Sequence, residues 1–589
     1  MPRPRPRRFT AALAPPVALL TVAVALAGCG SSSSPGTAAD PAGVVPASAP
    51  LYIGAVVRPT GTLKTNATFA ATALTHQPNA YSRLLQVLKT PGSAPLDYSR
   101  DIAPWLGANA GIFLTSLGAS GQAGTAQLEQ LLTQVLQGGS ATASAWPFGT
   151  AGGAQGAIVL DTSNLTKAGS FLNTEAHHAG AHAASYRGIA YQATSGGDAF
   201  GIVGHFAVIG SLAGLHSVID TQLGGPSLAH AADYSKLLAG APSGALAHVY
   251  ANPTTSTGST STGSTSAGSE GLLGLLGGAH QLNASLVPTT SSIALDIDTL
   301  ASGASAGGGG LLTSTSEGAQ ALSELPGESW LALGLGHVGV SLAGDVQALH
   351  GLASLVTSLG GAAGASTEGA AGSGFNVRGL LEGILTPLSA LSAHGAQSRR
   401  DFLSWMSSAG IFASGSTIVN LRAAIVIDSK NPSLSHAAIA KLGALLSKEG
   451  GSVQPISIPG TDAAISARVA GLPVELDIAN GRSSSGQTEF VIGLGEASVT
   501  DALNPPSTLS SAASSSVAAT TLGEGARPSV LVEFPPLLSL LEGVGLSEDP
   551  SISKVLPYLR SLTTLAGGGK SLGGGIDRFR LVAGLQKTG

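Results

Sequence analysis

Asp101-Ile102-Ala103-Pro104-Trp105, with Ala110-Gly111-Ile112-Phe113 close behind, has a counterpart far down the chain. It is Asp401-Phe402-Leu403-Ser404-Trp405, followed by Ala409-Gly410-Ile411-Phe412. Further matches flank both in the same order. Val45-Pro46-Ala47-Ser48-Ala49-Pro50-Leu51-Tyr52-Ile53-Gly54 precedes the first and Leu325-Pro326-Gly327-Glu328-Ser329-Trp330-Leu331-Ala332-Leu333-Gly334 the second. Ala157-Ile158-Val159-Leu160-Asp161 answers to Ala424-Ile425-Val426-Ile427-Asp428. Phe200-Gly201-Ile202-Val203 and Ala207-Val208-Ile209-Gly210 answer to Phe490-Val491-Ile492-Gly493. Each series closes on an apolar strand, Ile293 to Leu300 and Phe579 to Leu585. Ordered matches at a period near 280 residues read as an internal repeat.

Both copies mix two periodicities. Segments 51–57, 156–161, 246–250, 292–298, 422–428, 488–494 and 529–534 are short, apolar or β-branched, and bounded by turn residues, as strands are. Gln127, Leu128, Leu131, Leu132, Val135 and Leu136 form an apolar stripe at helical spacing, as do Leu434, Ile439, Leu442, Leu445 and Leu446. Strand follows strand without regular helical crossovers. The expected class is therefore α+β: two tandem related units with mainly antiparallel sheets and packed helices. The boundaries expected are a signal peptide at 1–28, a disordered, lipidated tether at 29–44, a first unit at 45–303, a linker at 304–324 and a second unit at 325–589. Residues 254–268, almost wholly Ser, Thr and Gly, read as a surface insert in the first unit.

Four motifs carry a resemblance. Val45 to Tyr52, Arg58-Pro59-Thr60-Gly61, Trp105-Leu106-Gly107 and Tyr186-Arg187-Gly188 resemble the actinobacterial family catalogued as domain of unknown function 3352. The likeness runs from about residue 40 to 300 and more loosely to 587. The second copy departs from it: Met406-Ser407 follows Trp405, and no Tyr-Arg-Gly is present. The family is defined by pattern, so the resemblance implies export, lipidation and a two-part layout, and no reaction.

The N-terminus speaks to location. Arg3, Arg5, Arg7 and Arg8 precede an apolar stretch from Ala11 to Ala27, which ends in Leu26-Ala27-Gly28-Cys29. A charged start, an apolar run and small residues before a cut are the secretory signature. The last four residues resemble the lipobox of bacterial lipoproteins, in which the cysteine takes a diacylglycerol and becomes residue one. Cys29 is by that resemblance the lipidated anchor, and the membrane is the expected partner through it. The expected location is the outer face of the cytoplasmic membrane. Cys29 is the only cysteine, so the chain has no disulfide and no thiol catalysis.

Charged residues make up 10% of the chain, well under the usual quarter, and imply a surface of Ser, Thr, Gly and Ala. Loss of the four signal arginines takes 28 basic residues to 24 against 33 acidic ones, a net charge of −9. With no basic cluster downstream, nucleic acid is not expected as a partner.

Local motifs for chemistry are poor. Gly334-Leu335-Gly336-His337-Val338-Gly339 fits a dinucleotide fingerprint, but the apolar pattern reads as a strand continuing to Leu342 where a helix should open. Gly303-Ala304-Ser305-Ala306-Gly307 lies in a low-complexity tract. Gly567-Gly568-Gly569-Lys570-Ser571 lacks the upstream glycine of a phosphate loop, having Thr564 there. His178 and His182 are the metal candidates, spaced to share a helix face beside Glu175, and read more simply as an exposed helix end. Asp296 and Asp298 share one face of a strand and read as solvated. Trp105 and Trp405 read as core anchors. No catalytic residue, metal or cofactor is assigned. The expectation is non-enzymatic binding or scaffolding in the cell envelope, of an apolar ligand or an envelope protein. The alternative is an envelope hydrolase whose site is assembled from distant residues.

Overall fold

The computed structural model describes residues 39–75, 96–116, 155–252, 281–300, 316–339, 403–448, 451–468, 474–543 and 550–586. The 127–136 helix, the 254–268 insert, the 303–307 motif and everything before residue 39, Cys29 included, lie outside them.

The first stretch contributes strands β1 (Leu51–Val56), β2 (Leu106–Ser116), β3 (Gln155–Thr162), β4 (His182–Tyr186), β5 (Ile189–Ala193), β6 (Asp198–Val203), β7 (Phe206–Ser211), β8 (Ala247–Ala251), β9 (Gln281–Pro288) and β10 (Ser292–Leu300). Its helices are α1 (Gly61–Thr75), α2 (Leu165–His178), α3 (Leu212–Gln222) and α4 (Ala232–Gly240). The second contributes β11 (Ser329–Leu335), β12 (Met406–Ser414), β13 (Arg422–Ser429), β14 (Ser452–Pro455), β15 (Thr461–Arg468), β16 (Leu476–Arg482), β17 (Thr488–Leu494), β18 (Arg527–Glu533), β19 (Leu562–Gly573) and β20 (Ile576–Leu585). Its helices are α5 (Glu317–Glu324), α6 (Pro432–Lys448), α7 (Gly495–Leu503), α8 (Ala513–Leu522), α9 (Phe534–Gly543) and α10 (Pro550–Arg560).

Every pairing among these strands is antiparallel, and all twenty strands belong to one sheet. In the first half the spatial order is β4-β5-β6-β7-β3-β2-β1-β8-β9-β10. In the second it is β14-β15-β16-β17-β13-β12-β11-β18-β19-β20. The same positions pair in the same sequence. The halves meet where β10 runs antiparallel to β20, from Ser292 opposite Gly584 to Leu300 opposite Ile576.

Helices cover both faces, which is why central strands such as β7, buried at every residue, read as continuous apolar runs rather than as alternating ones. On one face of the first half, α1 and α2 bury Ala70, Leu74, Ala168 and Leu172 with Ile158 and Leu160. On the other, α3 and α4 bury Leu215, Ile219 and Leu237 with Val159 and Val208. In the second half α6 packs Ile439 and Leu442 against Ile425 and Ile427. Across the sheet, α5, α7 and α8 pack Leu322, Val499 and Leu522 against Phe412 and Val491. Trp105 and Trp405 are both about 1% exposed, and each packs its ring, tilted, 5.2 Å from that of a phenylalanine, Phe171 and Phe490. They are core anchors.

Two boundaries shift. Residues 41–44, assigned to the tether, are part of the packed body: Asp40 caps a short turn over Pro41–Gly43, and Ala42 and Val44 are core residues. Residues 317–324, assigned to the linker, form α5, which lies on β11, β12 and β18. Gly318 and Gly334 allow that approach: a Cβ on Gly334 would stand 1.8 Å from the Gly318 carbonyl oxygen. Low side-chain bulk, which reads as a linker in sequence, here permits close packing.

Candidate functional site

The sequence candidates separate in space. His178 ends α2, Gly180 turns the chain in the left-handed region (φ 69°), and His182 opens β4. Both histidines are exposed and lie on different elements, so they do not share a helix face. Gly567 to Ser571 lies within β19, with Gly567–Gly569 paired to both β18 and β20 and Lys570 and Ser571 to β20, so the segment is strand and not a phosphate-cradling loop. The expected strand through Leu342 is also corrected. β11 stops at Leu335, the chain reverses at His337 (φ 48°), and Val338 and Gly339 are already helical. The His337 amide donates to the Glu317 carboxylate at 3.0 Å, so that amide is already engaged by an acid of the chain.

Asp296 and Asp298 are not solvated. Both are 0% exposed and face Arg580 and Arg578 across the β10–β20 pairing. Each aspartate receives a two-pronged guanidinium: Arg580 Nε and Nη2 at 2.6 and 2.7 Å on Asp296, Arg578 Nε and Nη2 at 2.6 and 2.8 Å on Asp298. Strand alternation puts both acids on one face, as read; the same alternation on β20 brings both arginines to meet them.

A different cluster emerges on the α5 side of the second half. Glu324 at the end of α5, Asp428 near the end of β13 and Glu489 near the start of β17 bring carboxylate oxygens within 4.8 Å of one another. Asp428 and Glu489 are direct cross-strand partners. The Ser408 hydroxyl donates a very short hydrogen bond to Asp428 Oδ2, and Gln320 Nε2 donates to Glu324 Oε1 at 3.1 Å. Glu489 is 4% exposed, and its Oε2 has no hydrogen-bond partner among the described residues. Burial, with Asp428 and Glu324 adding their charge, pushes the Glu489 carboxyl up to about 8 against a hydrogen bond from Ser483. Burial also raises Asp428, opposed by Ser408 and reinforced by Glu324 and Glu317.

The first half shows what the fold itself requires at these places. Leu228 donates to the Val45 carbonyl as Leu509 does to that of Leu325, which sets Val44 opposite Glu324. Asp161 pairs with Phe206 as Asp428 pairs with Glu489. Val44 and Phe206 lie together in an apolar core. Two carboxylates thus replace two core hydrocarbons. Sequence reading missed this because the three acids sit on three separate elements; the signal available was Glu489 standing opposite Phe206 in an otherwise apolar match.

The first half has its own polar cluster. His248 Nε2 lies 2.9 Å from the Tyr234 hydroxyl, with Tyr52 packed at 5.6 Å and Gly54 leaving room for the imidazole. Burial lowers His248 to about 4 and raises the Tyr52 and Tyr234 phenols. The pairings set Leu531 and Ser529 at the corresponding positions of Tyr250 and His248, so the second half lacks this group.

Among the described residues no helix is long and apolar enough to cross a membrane. The sequence model of a family described as protein of unknown function (DUF3352) matches residues 11–524. No curated protein and no solved structure matches the chain.

Proposed function

The chain belongs to this family of unknown function, and from that premise we propose a lipid-anchored protein of the cell envelope that binds or scaffolds other envelope material. The lipobox-like Leu26-Ala27-Gly28-Cys29 supports anchoring through a diacylglyceryl Cys29 on the outer face of the cytoplasmic membrane. The repeated order of pairings supports two related units descended from one duplicated ancestor.

One observation carries the scaffolding reading: β10 and β20 fuse the two halves into a single sheet, locked by two ion pairs in which Asp296, Asp298 and Arg578 are buried and Arg580 is part-buried. At about 4.8 Å per strand, twenty strands give a hydrogen-bonded path of about 90 Å. A frame built on one continuous sheet offers separate surfaces to an envelope protein or an apolar ligand.

The alternative, an envelope hydrolase, draws on the Glu324–Asp428–Glu489 group, since buried carboxyls with raised pKa values suit proton transfer. Native mass spectrometry of the gently purified mature chain, with cross-linking on intact cells, separates the two. Reproducible excess mass or a specific cross-linked neighbour supports binding. Breakdown of envelope polymer by the purified chain, abolished in Asp428→Asn, overturns it.

A further inference from the structure

We propose that Glu324, Asp428 and Glu489 form a binding site for a hard divalent cation, calcium above all. Three carboxylates make an all-oxygen donor set, the chemistry that selects calcium, magnesium or manganese over softer metals. Tolerance of irregular geometry discriminates further: calcium accepts uneven carboxylate cages at about 2.3–2.6 Å, whereas magnesium demands a near-ideal octahedron and keeps several waters. Mutual separations within 4.8 Å let all three carboxylates share one ion.

A second observation is independent of the clustering. Glu489, 96% buried, contributes a carboxylate oxygen to the cluster, and its Oε2 has no hydrogen-bond partner among the described residues. An unsatisfied buried carboxylate oxygen is costly. The first half demonstrates that the fold does not demand it, because Val44 and Phe206 fill the corresponding positions. Among the described residues no lysine, arginine or histidine forms an ion pair with any of the three. A bound cation supplies the missing counter-charge and the missing partner together.

The surroundings suit that role. Ser408 and Gln320 each hold one oxygen of a neighbouring acid, fixing Asp428 and Glu324 in orientation. Glu324 and Asp428 are half-buried, so the ion enters on their side. Water there completes the six to eight oxygens calcium takes.

The test is calorimetric titration of CaCl2 into the full mature chain, stripped with EDTA, with thermal unfolding in parallel. One calcium per chain is expected, with a higher Tm in calcium than in EDTA and weaker binding of MgCl2. Glu489→Gln and Glu324→Gln are each expected to weaken calcium at least tenfold. Glutamine keeps the shape and removes the charge, and circular dichroism confirms folding. His182→Ala, at an exposed site elsewhere, is expected to bind as the parent does. Absence of both heat and Tm shift at millimolar calcium, or binding that survives in the Glu324→Gln/Glu489→Gln double variant, overturns the proposal.

Discussion

Arg578 and Asp298 face each other across the one strand pairing that joins the two halves among the described residues, at 8% and 0% side-chain exposure, joined by two hydrogen bonds of 2.6 and 2.8 Å. Arg578 Nη2 also donates to the Gly240 carbonyl at the end of α4, where a cation meets the negative pole of a helix. Burial nevertheless pushes the Asp298 carboxyl upward, against the pull of Arg578. The pair therefore gives the junction its register more than its stability.

Removing one partner strands the other. Arg578→Met is expected to destabilise by about 3–5 kcal/mol, because it leaves Asp298 buried without its cation. Asp298→Leu combined with Arg578→Met is expected to recover most of that loss. Denaturant unfolding of the parent, both single variants and the double gives the coupling directly. Additive single effects would contradict it.

Part of this was readable in the sequence and part was not. Short β-branched segments with amphipathic helices between them announced antiparallel strands and packed helices, and the structure has one such sheet. Asp296 and Asp298, alternating on one strand, read as solvated. Exposure is not a property of one strand, and four matched charges satisfy each other only once the register is known. The carboxylate group failed for a related reason: Glu324, Asp428 and Glu489 become neighbours only through α5, β13 and β17. The glycine fingerprint misled in the other direction. Gly334 and Gly339 serve close backbone packing, Gly334 against α5 and Gly339 against the Leu403 and Met406 carbonyls.

That packing predicts a second outcome. A methyl on Gly334 would meet the Gly318 carbonyl oxygen at 1.8 Å and the Leu322 amide nitrogen at 2.8 Å, both backbone atoms that cannot rotate aside. Gly334→Ala is expected to cost about 1–3 kcal/mol, the usual toll of overpacking, by lifting α5 from β11. Thermal unfolding checks it, and an unchanged Tm would contradict it.

Ser211 caps α3 and serves the sheet at once. Its Oγ accepts from the Gly214 amide at 3.0 Å and the Gly156 amide at 3.1 Å, at 1% exposure. Ser211→Ala removes the cap and leaves a buried amide unpaired, an expected loss of roughly 1–2 kcal/mol. Denaturant titration measures it; restoration by Ser211→Thr would support the capping role.

His248 predicts a pH dependence. Its folded value of about 4 lies below the ordinary 6.5, so the unfolded chain binds the extra proton first. Its contribution is full above pH 6.5 and is lost progressively as pH falls toward 4. At about 1.4 kcal/mol per pKa unit, the window spans roughly 3 kcal/mol. His248→Gln is expected to flatten the stability profile between those values. A profile of the same slope in both proteins would contradict the assignment.

The central claim is an envelope protein held by lipid on Cys29. Its most direct measurement is the intact mass and N-terminal sequence of the mature protein extracted from membranes of the cells that make it. The account predicts a chain beginning at Cys29, heavier by a diacylglyceryl group, and loss of membrane retention in Cys29→Ser. A chain beginning elsewhere, or an unmodified Cys29 still retained by the membrane, would contradict it.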